Sequence, residues 1–244
     1  MKECIIDSSI IRYDDDHFKF VESQYGDHLE YIGTGGFVPQ PVPLLSMRSM
    51  FSRSKVTELD LSSWDTSEVT TMYEAFCDCE NLERIIGIEK FDTSKCTNFT
   101  AMFLCCESLK ELDLKNWNVS NGRLFECTFG ENYSLELLEI STWDMSNAVE
   151  ICWMLDMCKS LKKVDVSKWN ISKVTDMRMF AHGCKSLERI DIDNWNISSV
   201  EKLTGAFANC PCFNLKQISS WGLESYKAQQ LLEQEDLQGN MSLF

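Results

Sequence analysis

The chain has 244 residues, 44% apolar and 25% charged, enough to bury a core and to fill one or two domains. Lys+Arg number 23 and Asp+Glu 38, and the formal net charge of −15 argues against a nucleic-acid or anionic-membrane binder, whose surfaces carry the same sign. No apolar run approaches the roughly 18 residues of a membrane span.

The N-terminus is Met1-Lys2-Glu3-Cys4-Ile5-Ile6-Asp7. Asp7 breaks the apolar stretch and no small-residue cleavage site follows, so no secretory signal is read here. Cys4 lacks the apolar run that precedes a lipidated cysteine. Twelve Cys fall well short of the roughly 8–10% of a disulfide scaffold. The expectation is a cytoplasmic chain with free thiols, with cell-surface display or secretion the alternative if an export signal has been removed. Ile5, Ile6, Ile10, Ile11, Tyr13, Phe18, Phe20 and Val21 predict a small cap of strands, and a Gly/Pro-rich segment from Gly33 to Pro43 reads as loop. Residues 1–45 are therefore assigned to an N-terminal cap and linker.

The next stretch, 46–222, is organised by an internal repeat. Trp64, Phe91, Trp117, Trp143, Trp169, Trp195 and Trp221 follow one another at spacings of 27 and then 26 residues. Cys79, Cys106, Asn132, Cys158, Cys184 and Cys210 share that period. So do Leu82, Leu109, Leu135, Leu161, Leu187 and Phe213, and so do Met72, Phe99, Phe125, Ile151, Met177 and Leu203. Within a unit, Ile190-Asp191-Ile192 alternates as a short half-buried strand should, as do Leu59-Asp60-Leu61, Leu112-Asp113-Leu114, Leu138-Glu139-Ile140 and Val164-Asp165-Val166. After the Trp, Asp65-Thr66-Ser67, Asn118-Val119-Ser120, Asn170-Ile171-Ser172 and Asn196-Ile197-Ser198 predict turns set by short polar side chains. A second apolar piece such as Val174-Thr175-Asp176-Met177 leads into a helical turn or 3-10 segment carrying Met-Phe or Ala-Phe before the Cys. Six Asn-x-Ser/Thr sequons, at Asn98, Asn118, Asn132, Asn170, Asn196 and Asn240, are read as turn chemistry rather than glycan sites.

A unit of this kind cannot bury its own apolar face, so units must stack. The predicted fold is α/β: a leucine-rich-repeat-like solenoid of about seven 26-residue coils with a parallel sheet. Residues 223–244 form the last segment, with a predicted helix from Ser225 to Leu237 stopped at Gly239. Its Tyr226, Leu231, Leu232 and Leu237 would cover the open end of the last coil.

The unit Ala/Met-Phe-x-x-Cys-x-x-Leu-x-x-Leu-Asp-Leu-Ser-x-Trp-Asp-x-Ser-x-Val-Thr-x-Met, best matched between Met72 and Met177, resembles the repeat of the BspA-like leucine-rich-repeat bacterial surface proteins. The resemblance covers roughly 70% of the chain. It implies a leucine-rich-repeat fold, display on a cell surface and, for some members, adhesion to host or matrix proteins. It transfers fold more securely than function.

The outward strand positions are the principal candidate site. Asp60, Asp113, Glu139, Asp165 and Asp191 should align across coils, interrupted by Ile86. Like charges set opposite each other destabilise a sheet, so their repetition calls for a use or a compensation. The use would be capture of a basic protein surface; the compensation would come from Arg84, Lys115, Lys163 and Arg189 nearby. A flat row lacks the converging oxygens of a calcium site. Trp153 lies off the Trp column, between Ile151 and Leu155 in the helical segment, and is either an exposed contact spot or a local gap filler.

The Cys column is read as structural, since Cys-x-Cys at 77/79 and 210/212 lacks the pairing of zinc sites. His17, His28 and His182 are scattered, and His17 beside Asp14-Asp15-Asp16 is better explained by an acidic loop than by proton transfer. No nucleophile, phosphate-loop or metal-ligand motif is present, so no catalytic, cofactor or metal residue is assigned. The function expected from the sequence is a non-enzymatic, monomeric protein-binding module presenting its acidic sheet face to a basic protein partner. The alternative is a surface adhesin or structural protein.

Overall fold

The structure, a computed structural model, describes residues 1–24, 26–223 and 225–233. The N-terminal part is two antiparallel hairpins. Strand β1 (Lys2–Ile6) pairs with β2 (Ser9–Tyr13) through a two-residue turn, Asp7-Ser8, whose residues both have positive φ, 48° and 67°. That turn matches the twist of the strands it joins. Strand β3 (Phe18–Val21) pairs with β4 (His28–Tyr31). Ile11, Tyr13, Phe18, Leu29 and Tyr31 are buried in one cluster with Phe51 and Trp64. The Tyr31 N–H bonds the Met50 carbonyl at 2.7 Å, tying the hairpins to the first 26-residue unit. Gln40 closes an exposed corner: its side chain donates to the Asp65 carbonyl and accepts from the Asp65 N–H.

The repeat region stacks in parallel. Strands β5 (Gly36–Phe37), β6 (Glu58–Asp60) and β7 (Arg84–Ile86) form one sheet, and β8 (Glu111–Asp113) and β9 (Leu137–Glu139) a second. The ladder continues as single parallel bridges from Leu137 to Lys163 and from Lys163 to Arg189. One continuous sheet was the expectation; the break falls after β7. There the unit is one residue longer, Gly87 adopts φ 89°, and Ile88–Lys90 turns as a 3-10 segment. A second parallel ladder, on another edge of the coil, runs unbroken through Ser46, Thr71, Asn98, Leu124, Glu150, Asp176 and Lys202.

The segment before each Cys is not helical. Its N–H groups alternate between the carbonyl three residues back and a carbonyl of the next unit. Ala101, Phe103 and Cys105 donate to Glu126, Thr128 and Gly130, while Met102 and Leu104 donate to Phe99 and Ala101. A left-handed residue recurs every fourth position, at Ser49 and Arg53, Glu74 and Asp78, Ala101 and Cys105, Cys127 and Glu131, Trp153 and Met157, Met179 and Gly183. Each left-handed non-glycine residue costs about 1–2 kcal/mol. The N–H of every one of these residues is bonded to the following unit, so the stacking that a helix could not provide offsets the strain. Among the described residues the one α-helix is Ser225–Gln230. The helix expected to reach Leu237 ends there, with Leu231 and Leu232 in a turn; residues 234–244, including Leu237, Gly239 and Asn240, lie outside the described residues. The turn is bonded to the last unit, with the Gly205 N–H meeting Gln230 O at 2.7 Å and the Phe207 N–H meeting Leu231 O at 2.9 Å. Of the residues expected to cover that end, Leu231 is buried, Leu232 is exposed, and the Tyr226 side chain lies outside the described residues.

The columns read from the sequence are ladders in the core. Trp117, Trp143, Trp169 and Trp195 stack with centroid separations of 6.2–6.5 Å and interplanar angles of 1–9°. Each Trp of the column gives its Nε1–H to a main-chain carbonyl of the preceding unit, from Trp64 to Val38 through Trp221 to Ile192. Phe51, Phe76, Phe103 and Phe129 form a second stack at 5.2–5.8 Å.

Candidate functional site

The outward face of the strand ladder follows from strand geometry: successive side chains alternate, and stacking in register lines up like positions. Leu59, Leu112, Leu138, Val164 and Ile190 point in and are buried. Register places Phe37 beside Asp60, Asp60 beside Ile86, and Asp113 beside Glu139. The column therefore opens with Phe37, 61% exposed, an apolar member the sequence reading did not include. Asp113 and Asp165 are exposed; Asp60, Glu139 and Asp191 are half-buried.

The carboxylates are anchored locally. One oxygen of Asp60 accepts the Ser62 N–H at 3.0 Å, and one of Asp165 accepts both the N–H and the hydroxyl of Ser167. Asp113 accepts the Lys115 N–H and meets Lys115 Nζ at 2.6 Å; Asp191 meets Arg189 at 2.8 Å. Hydrogen bonds from Ser62, Lys115 and Ser167 hold the Asp60, Asp113 and Asp165 carboxyls below the usual range. The same two-residue bond recurs at the other corners. Asp65, Asp92, Asn118, Asp144, Asn170 and Asn196 accept the N–H two residues on after the Trp position. Ser46, Thr71, Asn98 and Asp176 do so on the second ladder. Short acceptors thus fold each corner, which explains the residue type without a ligand. On the strand face the second oxygen of Asp113 meets Lys115 and that of Asp191 meets Arg189, while beside the column Glu58 pairs with Arg84 and Glu136 with Lys162.

Trp153 is not part of this face. It is a left-handed turn residue (φ 53°), half-buried rather than on a helix, packed against a satellite cluster of Cys77, Ala101, Leu104 and Cys127. The Arg178 guanidinium lies 4.8 Å above its ring. Of the sequons, Asn132 departs from turn chemistry: it is a fully buried member of the Cys column. The column's side chains donate to main-chain carbonyls of the preceding unit, Cys79 to Phe51, Cys106 to Phe76, Asn132 to Phe103, Cys158 to Phe129 and Cys184 to Leu155. A small donor is what the position requires. Burial pushes the Cys79 thiol up to about 12 and Cys106 and Cys184 well above the ordinary value, so they are poor nucleophiles and poor metal ligands. No group of three or more metal-ligating side chains converges among the described residues.

His17 sits 3.2 Å from Asp14 at the β2–β3 turn, where Asp14 also accepts the Asp16 N–H, a loop-closing arrangement. A hydrogen-bonded chain that the sequence reading missed joins half-buried Asp156, buried His182 and exposed Asn209. His182 Nδ1 is 2.7 Å from Asp156 Oδ1, and Asn209 Nδ2 is 3.2 Å from His182 Nε2. The ring thus bridges a carboxylate oxygen on one side and an amide nitrogen on the other. Both ring nitrogens are engaged, which makes the chain a tie between stacked units. Asp156 and His182 stand one 26-residue period apart, the signal by which the pairing could have been found.

Comparison with solved structures gives the T. pallidum leucine-rich-repeat protein, with 14% identity, TM-score 0.33, and coverage of 86% of this chain and 96% of that one. It also gives a leucine-rich-repeat protein from Bacteroides ovatus ATCC 8483, with 15% identity, TM-score 0.29, and coverage of 83% and 70%. No curated protein matches. No helix among the described residues is long and apolar enough to cross a membrane. The BspA-like leucine-rich-repeat character read from the motif stands, and a family model matches residues 45–137 and 125–241, most of the repeat region. The chain belongs to the family described as Mycoplasma protein of unknown function, DUF285.

Proposed function

We propose that the chain is a non-enzymatic protein-binding module: one solenoid of about seven coils over 46–222, capped by 1–45 and 223–244, that offers its strand face to a basic protein partner. The observation that carries this reading is the outward column itself. Phe37 and Ile86 supply apolar contact, and Asp60, Asp113, Glu139, Asp165 and Asp191 supply one carboxylate per unit. Four of those carboxylates occupy successive units, at the roughly 4.8 Å spacing of parallel strands. Asp60, Asp113 and Asp165 are each fixed by a corner hydrogen bond, so little side-chain freedom is lost on binding. Charge on such a face raises the association rate and selects partners, while Phe37 supplies apolar area. Trp153, capped by Arg178 on another edge, lies outside this surface.

The test is affinity capture with wild-type protein beside a folded variant carrying Asp60→Ser, Asp113→Ser, Asp165→Ser and Asp191→Ser. The expected result is a basic partner held by the wild type, weakened by salt and lost by the variant. Equal capture by both would overturn the assignment of the face. Display on a cell surface, as the BspA-like resemblance suggests, would use the same face for adhesion, and an extracellular matrix ligand retained only by the wild type would identify it.

A further inference from the structure

The last member of the Cys column behaves differently from the others. Where Cys79, Cys106, Cys158 and Cys184 donate to main-chain carbonyls at 2.9–3.2 Å, Cys210 Sγ lies 3.5 Å from Cys212 Sγ. Pro211 separates them and, with Cys212, forms a turn. Proline restricts the backbone there, and a turn brings residues two apart within the roughly 4.4–6.8 Å between Cα atoms that a disulfide tolerates. Cys210 is 5% exposed and Cys212 half-buried, so one thiol meets solvent and the other waits behind it. The hydrogen bond from Cys210 holds the Cys212 thiol below the ordinary value; the same bond, with burial, raises Cys210. The pair thus has an outer attacking group and an inner resolving group. The surrounding packing is shared with the end of the stack. Phe207 and Phe213, on either side in sequence, stack at 4.3 Å, and the Phe207 N–H anchors the closing turn at Leu231.

We propose that Cys210 and Cys212 form a redox-active dithiol that hydrogen peroxide closes to an intramolecular disulfide. The Cys212 thiolate attacks one peroxide oxygen and the O–O bond breaks. The departing hydroxide takes a proton to become water, and Cys212 becomes a sulfenic acid. Cys210 Sγ then attacks Cys212 Sγ, the S–O bond breaks, and the hydroxyl leaves with the Cys210 proton as a second water. Two thiols lose two electrons and one peroxide becomes two waters. The sulfur separation contracts from 3.5 Å to about 2.05 Å, a movement within reach of side-chain rotation and a small turn adjustment.

Treatment of the full chain with one equivalent of hydrogen peroxide, followed by intact mass measurement, thiol counting and peptide mapping, tests the proposal. The expected result is loss of about 2 Da with two of the twelve thiols consumed, a bond mapped to Cys210–Cys212, and reversal by a dithiol reductant. Cys212→Ser, off the buried column and checked for folding by circular dichroism, should form no such species and consume peroxide about ten-fold more slowly. Cys210 and Cys212 remaining free while Cys4 or Cys105 is oxidised would overturn the proposal. So would conversion of Cys212 to sulfinic acid without a disulfide.

Discussion

Replacement of Trp169 by Ala probes the stacking that holds the units together. The indole is 3% exposed and lies between Trp143, at 6.5 Å and 9°, and Trp195, at 6.2 Å and 1°, with Phe180 edge-on at 6.3 Å. Removing a buried Trp from a core costs about 3–5 kcal/mol, part of it the two stacked contacts at about 0.5–1.5 kcal/mol each. The Nε1 bond to the Ile140 carbonyl is long, 3.4 Å, and contributes at the low end of the ~0.5–1.5 kcal/mol range. Trp169→Phe separates the terms. Phe91 already occupies this position in another unit, stacked on Trp117 at 6.1 Å and 6°, so the ring stack should survive and the cost should fall to about 1–2 kcal/mol. Urea unfolding followed by circular dichroism measures both variants, with the slope checked because stacked repeats can lose cooperativity. A loss below about 1 kcal/mol for Trp169→Ala, with an unchanged slope, would refute the placement of this column as the energetic spine.

Asn132→Cys should stabilise the protein by about 1 kcal/mol: buried Asn132 Oδ1 has no hydrogen-bond partner in the structure, a defect worth about 1–3 kcal/mol, and a thiol there would retain the donor to Phe103 O. A lower melting temperature for that variant would show that the amide volume matters more than the orphaned oxygen. Acid should unfold the chain from about pH 4 downward. Corner hydrogen bonds depress the folded-state values of Asp65, Asp92, Asp113 and Asp165; their contribution is complete above the unfolded value and disappears as pH falls through the folded one. The sign reverses for Glu126, raised by burial and by Glu150: its charge is a cost at neutral pH, so Glu126→Gln should raise the melting temperature at pH 7 and change it little at pH 4. A melting temperature flat from pH 7 to pH 3 in wild type would refute the corner assignment.

Much of the fold was legible because a stacked unit must satisfy the same constraints at every turn. The Trp, Cys and Leu columns and the Asp/Asn corners recur, and each recurs for a physical reason: a buried indole that needs a carbonyl, a small donor facing the preceding unit, an acceptor for the N–H two residues on. What misled was the segment before the Cys. Residues such as Met-Phe-Leu at 102–104 favour helix locally. Their N–H groups instead serve the neighbouring unit through left-handed residues at Ala101 and Cys105, neither of them the glycine that would signal positive φ. The broken sheet had a fainter sign, the single 27-residue interval before Phe91, which the structure takes up at Gly87 and Ile88–Lys90.

The candidate site divides along the same line. The carboxylate column was legible because it repeats, yet repetition also marks a corner-forming role, and the structure shows that Asp60, Asp113 and Asp165 perform one. Function on such a scaffold is carried by what a unit does beyond its neighbours. Phe37 is exposed where later units place Asp, and its exposure follows from its place on the short first strand, which no periodicity could reveal. Asp156, His182 and Asn209 join because they stand in three successive units, 26 and then 27 residues apart. Cys210 carries the column's residue but has Cys212 as its partner, because Pro211 turns the chain where the last unit ends. A repeat therefore identifies its structural residues by recurrence, and its single departures, read against that recurrence in three dimensions, are where a specific contact or reaction is built.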